Sequence, residues 1–234
     1  LRVHAICCLG AGASSSAIER IAGKEPPSPI WPLKDADQTT VARVASVPGV
    51  GHAVTFRRGG TTGSVSVGWL NPSGSQQTEL ADVKVAGDLA GTPSIATSTD
   101  AVLVAFASKH SGNRTWRVAL ATAKAGGLPK EASIFSVPPG GPGGNAISPA
   151  VGALSGGRWL LHWTEGSSGN RVARALVLDE HLQPLTPPVN LSPDGANAGQ
   201  GAVFTRDDTA TVLFYVQNDK RTHQLWGASL DCPK

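Results

Sequence analysis

Apolar residues in this chain fall in short runs separated by turns rich in Gly, Pro, Ser and Asn. The clearest cycle runs from Ser148 to Asp194, with apolar runs at Pro149–Ala153, Arg158–Trp163, Val172–Leu178 and Pro187–Leu191. None shows the 3.6-residue spacing of an amphipathic helix, and each is bounded by turn residues, so the cycle predicts four β-strands. The same cycle recurs on either side. An aromatic closes the second strand at Phe56, Phe106, Trp163 and Tyr215, at spacings of 50, 57 and 52, and a residue closing the third strand follows at Leu70, Ala121, Leu178 and Leu230. The tetrapeptide SGNR fills the turn between second and third strands twice, at Ser111–Arg114 and Ser168–Arg171. A period near 50 residues with four short strands per unit predicts an all-β chain, a β-propeller of four blades, each of four antiparallel strands.

The repeats are predicted at about 30–85, 86–137, 138–191 and 192–234, after an N-terminal extension over 1–29. In that extension Ser16 and Glu19 have capping-box spacing and Gly23 stands ready to stop a short helix over Ala17–Ala22. Ile30–Leu33 matches the outer strands at Val83–Val85, Ile134–Val137 and Val189–Leu191, whereas the fourth repeat stops before an outer strand of its own. The expectation is that Ile30–Leu33 completes the last blade and closes the ring, leaving no bare edge; without that closure, four repeats would be half of a larger ring formed by two copies. Closure would bring Cys7 or Cys8 near Cys232, a candidate disulfide that implies an oxidising compartment; three free or buried thiols are the other reading.

Composition narrows the class further. Only 16% of residues are charged and 40% are hydrophobic, and the 28 Gly and 17 Pro are spread between apolar runs, as in a turn-rich globular domain. A net charge of +3 with no Lys/Arg tract argues against a nucleic-acid partner, and no apolar run is long enough for a membrane-spanning helix. The chain contains no Met, even at position 1, which is expected of a processed product or a fragment.

The combination of SPAV (Ser148–Val151), a Gly156-Gly157 or Asp207-Asp208 turn, an apolar run ending in Trp or Phe, the GNR turn and the ARALVLD strand (Ala173–Asp179) resembles the tandem-repeat β-propellers exported by bacteria. The resemblance implies an exported protein (periplasmic, surface or secreted) and says little about activity. Sialidases share this architecture, but their Ser-x-Asp-x-Gly-x-x-Trp box has only Ser192-Pro193-Asp194-Gly195 as a near match here.

Candidate chemistry is sparse. No nucleophile elbow, phosphate loop or paired metal-ligand spacing occurs, so no cofactor or metal is expected. His162, beside Trp163, reads as a packed strand residue, and Glu165, Asp179 and Glu180 read as solvated carboxylates near turns. Every blade instead carries a cation in the turn after its second strand. Arg57, Arg58, His110, Asn113, Arg114, Asn170, Arg171 and Arg221 are the candidate ligand-binding residues, ringing the channel mouth and suited to the carboxylates or sulfates of an acidic glycan. The ordinary alternative is that these turns are polar because they are wet. Most of the six Trp sit within apolar runs and are expected to pack between blades, sugar stacking being the alternative for a Trp exposed on the basic face. The leading expectation is a non-enzymatic surface module binding a glycan or protein; the alternatives are a sialidase-like glycoside hydrolase or lyase, and a structural subunit of a larger assembly.

Overall fold

The computed structural model describes residues 2–6, 17–21, 28–32, 42–59, 63–217 and 222–232. The N-terminal segments form a three-stranded antiparallel sheet, β1 (Arg2–Ile6), β2 (Ala17–Ile21) and β3 (Ser28–Pro32), in the order β1-β2-β3. Four further sheets are the blades of a β-propeller. Blade one is β4 (Arg43–Val47), β5 (Gly51–Arg58), β6 (Ser64–Leu70) and β7 (Ala81–Asp82). Blade two is β8 (Leu89–Ala90), β9 (Ser94–Thr97), β10 (Ala101–Lys109), β11 (Arg117–Lys124) and β12 (Ser133–Ile134), where β8 and β9 are two halves of one inner strand, both paired to β10. Blade three is β13 (Ala146–Ala153), β14 (Trp159–Ser167), β15 (Asn170–Leu178) and β16 (Val189–Asn190). Blade four is β17 (Asn197–Arg206), β18 (Thr209–Gln217) and β19 (His223–Asp231).

Two N-terminal expectations are corrected. Ala17–Ile21 is a strand rather than a capped helix, its register with β1 running from Arg2↔Ile21 to Ile6↔Ala17. Ile30–Pro32 belongs to β3 and pairs with β2, not with blade four, whose described sheet ends at β19.

The middle strands explain why their sequences read as continuous apolar runs. In blades two and three each is sandwiched between two neighbouring blades, so both faces are covered. In β10, Val102, Val104 and Phe106 pack toward Val65, Val67 and Trp69 of blade one, while Leu103 and Ala105 pack toward Trp159, Leu161 and Trp163 of blade three. In β14, Leu160 turns the other way, into a cluster with Val212, Phe214 and Val216 of blade four. The repeat register holds through three blades and shifts by one residue in the fourth: Phe214, opposite Trp226, is the aromatic that packs toward the preceding blade, and Tyr215 points away from it. Trp69, Trp159 and Trp163 are fully buried between blades, as the Trp pattern implied, whereas Trp226 is partly exposed on the edge strand β19.

Cys232 sits in the blade three–four cluster as a free thiol instead of half a disulfide. Burial pushes its pKa up. Cys7 and Cys8 lie outside the described residues.

Candidate functional site

The inner strands of all four blades converge on a central cavity of about 730 Å³, within the range of small-molecule sites. Three of these strands are irregular where they line it. Blade two breaks its inner strand at Gly91-Thr92-Pro93. In β13 the register slips between Ile147 and Ala150, with Ser148 in the left-handed region at φ 52°, and β17 slips between Ala198 and Gly201. A bulge frees backbone from the ladder and re-aims side chains, so the slips at Ser148 and Gln200 place polar groups on the cavity wall.

Three arginines line the cavity: Arg43 from β4, Arg114 from the turn after β10 and Arg171 from β15. No Asp or Glu is among the described lining residues, which also include Trp116, Asn145 and Gln200. The Nε of Arg171 is buried with no hydrogen-bond partner. Three guanidinium groups on a wall with no acid among its described residues make an anion-attracting site, and the planar fork of Arg matches a carboxylate or sulfate.

Arg114 reaches the cavity because the two SGNR copies fold differently. At Ser168–Arg171 the turn is tight: Ser167 pairs with Asn170 and Gly166 with Arg171. At Ser111–Arg114 neighbouring groups capture a longer loop. Asp88 accepts from the Ser111 backbone amide at 3.0 Å and from its hydroxyl at 2.8 Å, which holds the Asp88 carboxyl below its ordinary value. Asn113 Oδ1 accepts from the Thr115 amide at 2.9 Å, and Asn145 Oδ1, from the following blade, accepts from the Trp116 amide at 2.9 Å. Lys109 Nζ rests 4.8 Å from the centre of the Trp116 ring.

The other predicted residues scatter. Arg57 donates through Nε to the Ala90 carbonyl at 2.6 Å, tying blade one to blade two. Arg58 pairs with Asp82 at 2.6 Å and donates to Ser66 Oγ at 2.7 Å. Burial works against the Asp82 carboxylate, but hydrogen bonds from Ser66 and Arg58 outweigh it and hold the pKa low. His110 and Asn113 line a separate depression of about 150 Å³, and Asn170 is exposed in its turn. Arg221 lies outside the described residues. Of the candidate ring, then, Arg114 and Arg171 meet in one cavity. Arg43, Asn145 and Gln200 escaped the sequence reading because they stand at strand starts and bulges, not in the cationic turns.

Glu165 is corrected from a solvated carboxylate to a buried one. Its Oε2 accepts from Arg174 Nη1 at 2.6 Å and from Trp163 Nε1 at 3.2 Å, while Oε1 accepts from the Gly143 amide at 3.0 Å. Arg174 also donates to the carbonyls of Pro138 and Pro139. This buried pair therefore clamps the Pro138–Asn145 loop that delivers Asn145 to the cavity. Gly141 is needed where the loop meets the clamp, since a Cβ there would lie 2.4 Å from Arg174 Nη1 and 2.6 Å from Glu165 Oε1. His162 is a packed strand residue, as expected: Nδ1–H donates to the Arg174 carbonyl at 2.9 Å, and burial, partly offset by that bond, lowers its pKa to about 4. No cluster of three metal-ligating side chains occurs among the described residues.

These features define a β-propeller with a central cavity lined by three arginines. No family model and no curated protein matches the chain. Solved structures do. A Dyadobacter fermentans protein of unknown function aligns at TM-score 0.60 and 12% identity, over 82% of this chain and 66% of that one. The α-L-arabinofuranosidase of Lactobacillus brevis aligns at 0.54 and 13%, over 86% and 78%. A subtype N10 neuraminidase-like protein of a little yellow-shouldered bat isolate from Guatemala aligns at 0.50 and 12%, over 82% of this chain and 60% of its own length. At such identities the likeness establishes the fold. Several further matches are family-43 glycoside hydrolases. The leading expectation of a non-enzymatic module is corrected on this point, since the neighbouring propellers support the enzymatic alternative.

Proposed function

We propose that the chain is a carbohydrate-active propeller of the sialidase-like hydrolase or lyase kind, whose central cavity takes an acidic saccharide. The observation that carries this reading is the convergence of Arg43, Arg114 and Arg171 on a wall whose described residues include no carboxylate. Structural likeness to an arabinofuranosidase and to a neuraminidase-like protein supports a glycan as the ligand class, and the reading takes the chain as exported, as the resemblance to exported repeat proteins implies. The substrate's own carboxylate would take the arginine forks, with Asn145, Gln200 and Ser148 available to its hydroxyls and Trp116 to a sugar face.

The lining favours elimination over hydrolysis. Glycoside hydrolysis ordinarily uses two enzyme carboxylates flanking the bond, and the described lining has none. Elimination from a uronate begins by neutralising the sugar carboxylate, which acidifies the adjacent C5–H; the C5 proton passes to water, its electron pair forms the C4=C5 double bond, and the C4–O bond breaks, the leaving oxygen taking up a proton to depart as an alcohol. Arginines supply that neutralisation by preorganised charge.

The test is turnover of a polyuronate, a sialoside and a neutral arabinoxylan by the full chain. We expect product from the polyuronate carrying unsaturated, near-ultraviolet-absorbing ends, with Arg171→Ala lowering kcat/KM by about tenfold or more. Reducing ends without unsaturation would replace elimination by hydrolysis. Turnover of arabinoxylan alone, unchanged by Arg114→Ala and Arg171→Ala, would overturn the acidic-substrate reading.

A further inference from the structure

Blade four has a bare face. Phe204, Tyr215 and Leu225 are exposed by 59%, 49% and 64%. The register places Tyr215 beside Leu225, and Leu213 between Ala202 and Gly227, on this same side of the sheet. Val212, Phe214 and Val216 take the opposite side and are buried against blade three. On this side of β18, Leu213 and Tyr215 stand between the polar Thr209, Thr211 and Gln217, so that with Phe204 and Leu225 large apolar side chains gather at the middle of a face left exposed among the described residues. Large apolar side chains grouped on one sheet face mark a contact surface.

The gap lies within the ring. Strand packing joins blade one to two, two to three and three to four, and among the described residues nothing of comparable extent joins four to one. Both sides of this gap reach the central cavity, through Phe204 of blade four and the exposed Val44 of blade one.

We propose that the β1-β2-β3 sheet seats on the bare face of blade four and closes the ring between blades four and one. Its three antiparallel strands follow the same up-and-down order as β17-β18-β19. It directly precedes β4 in the chain, and the connection from Pro32 to Arg43 reaches roughly 35 Å when extended, ample for one blade position. Seated there, β1 would stand as an inner strand and complete the cavity wall. The last blade is thus closed by an added sheet rather than by one outer strand. This inference stands apart from the glycan reading.

The experiment is thiol labelling of the full chain in a Cys7→Ser, Cys8→Ser background, with Leu225→Cys as the probe and Ser73→Cys, in an exposed turn, as the reference. The native Cys232 is buried. We expect Leu225→Cys to label at least about tenfold more slowly than the reference, at a rate unaffected by dilution, because access requires local opening. Tyr215→Cys on the same face should behave alike, guarding against a local effect of either substitution. Equal rates would overturn the closure. Protection lost on dilution would overturn it too, and assign the face to a second copy.

Discussion

Blades three and four descend from the same sequence cycle and differ in what stands beside them. The side of blade three that looks toward blade four carries Leu160, His162, Ala173, Ala175 and Val177, all buried. The corresponding side of blade four carries Leu213, Tyr215 and Leu225 and is open. Apolar patterning records what a strand can be packed against; the neighbour that arrives decides burial. Blade three, covered twice, also supports a buried ion pair and a neutral buried histidine, neither of which has a counterpart among the described residues of blade four.

The largest expected effect breaks the buried pair of blade three. Arg174 and Glu165 have side-chain exposures of 1% and 6%, so Arg174→Ala leaves a desolvated carboxylate without its partner. Urea denaturation should show a loss of about 3–5 kcal/mol. The Pro138–Asn145 loop should loosen with it, weakening ligand retention through Asn145. A variant within 1 kcal/mol of the native chain would mean that the clamp does not hold the blade.

Acidification should be felt next. His162 has a pKa near 4 in the fold and ordinarily about 6.5 when unfolded. Between those values the unfolded chain binds more protons, so stability falls as pH drops through about 6.5 toward 4 and this contribution then levels off. The window is worth roughly 3 kcal/mol. His162→Phe, which keeps an apolar-sized ring, should flatten this part of the stability profile; an unchanged slope would assign it to other groups.

The smallest effect belongs to blade one. Arg58 and Asp82 have side-chain exposures of 27% and 47%, and screening by solvent limits such a pair to about 0–1 kcal/mol. Arg58→Ala should leave both stability and ligand binding nearly unchanged. A large loss of binding would return Arg58 to the site.

The fold was legible because aromatic and apolar residues recur at blade spacing, and the interblade packing of Phe106, Trp159 and Trp163 follows from it. Tyr215 misled the register by one residue, since Phe214 and Tyr215 are adjacent aromatics and only packing separates them. Half of the cavity was hidden for a different reason. Arg114 and Arg171 share a tetrapeptide, but Arg43, Asn145 and Gln200 reach the cavity through a strand start, a clamped loop and a bulge, which leave no periodic mark. Glu165 looked like a turn carboxylate because its partner, Arg174, is brought near only by strand pairing.

The most direct measurement is calorimetric titration of the full chain with an oligogalacturonate and with the methyl ester of the same oligosaccharide, at low and high salt. The account predicts salt-sensitive binding of the free acid, much weaker binding of the ester, and loss of the difference in Arg171→Ala. Equal affinity for acid and ester, indifferent to salt and to Arg171, would contradict an anion site at the centre of the propeller.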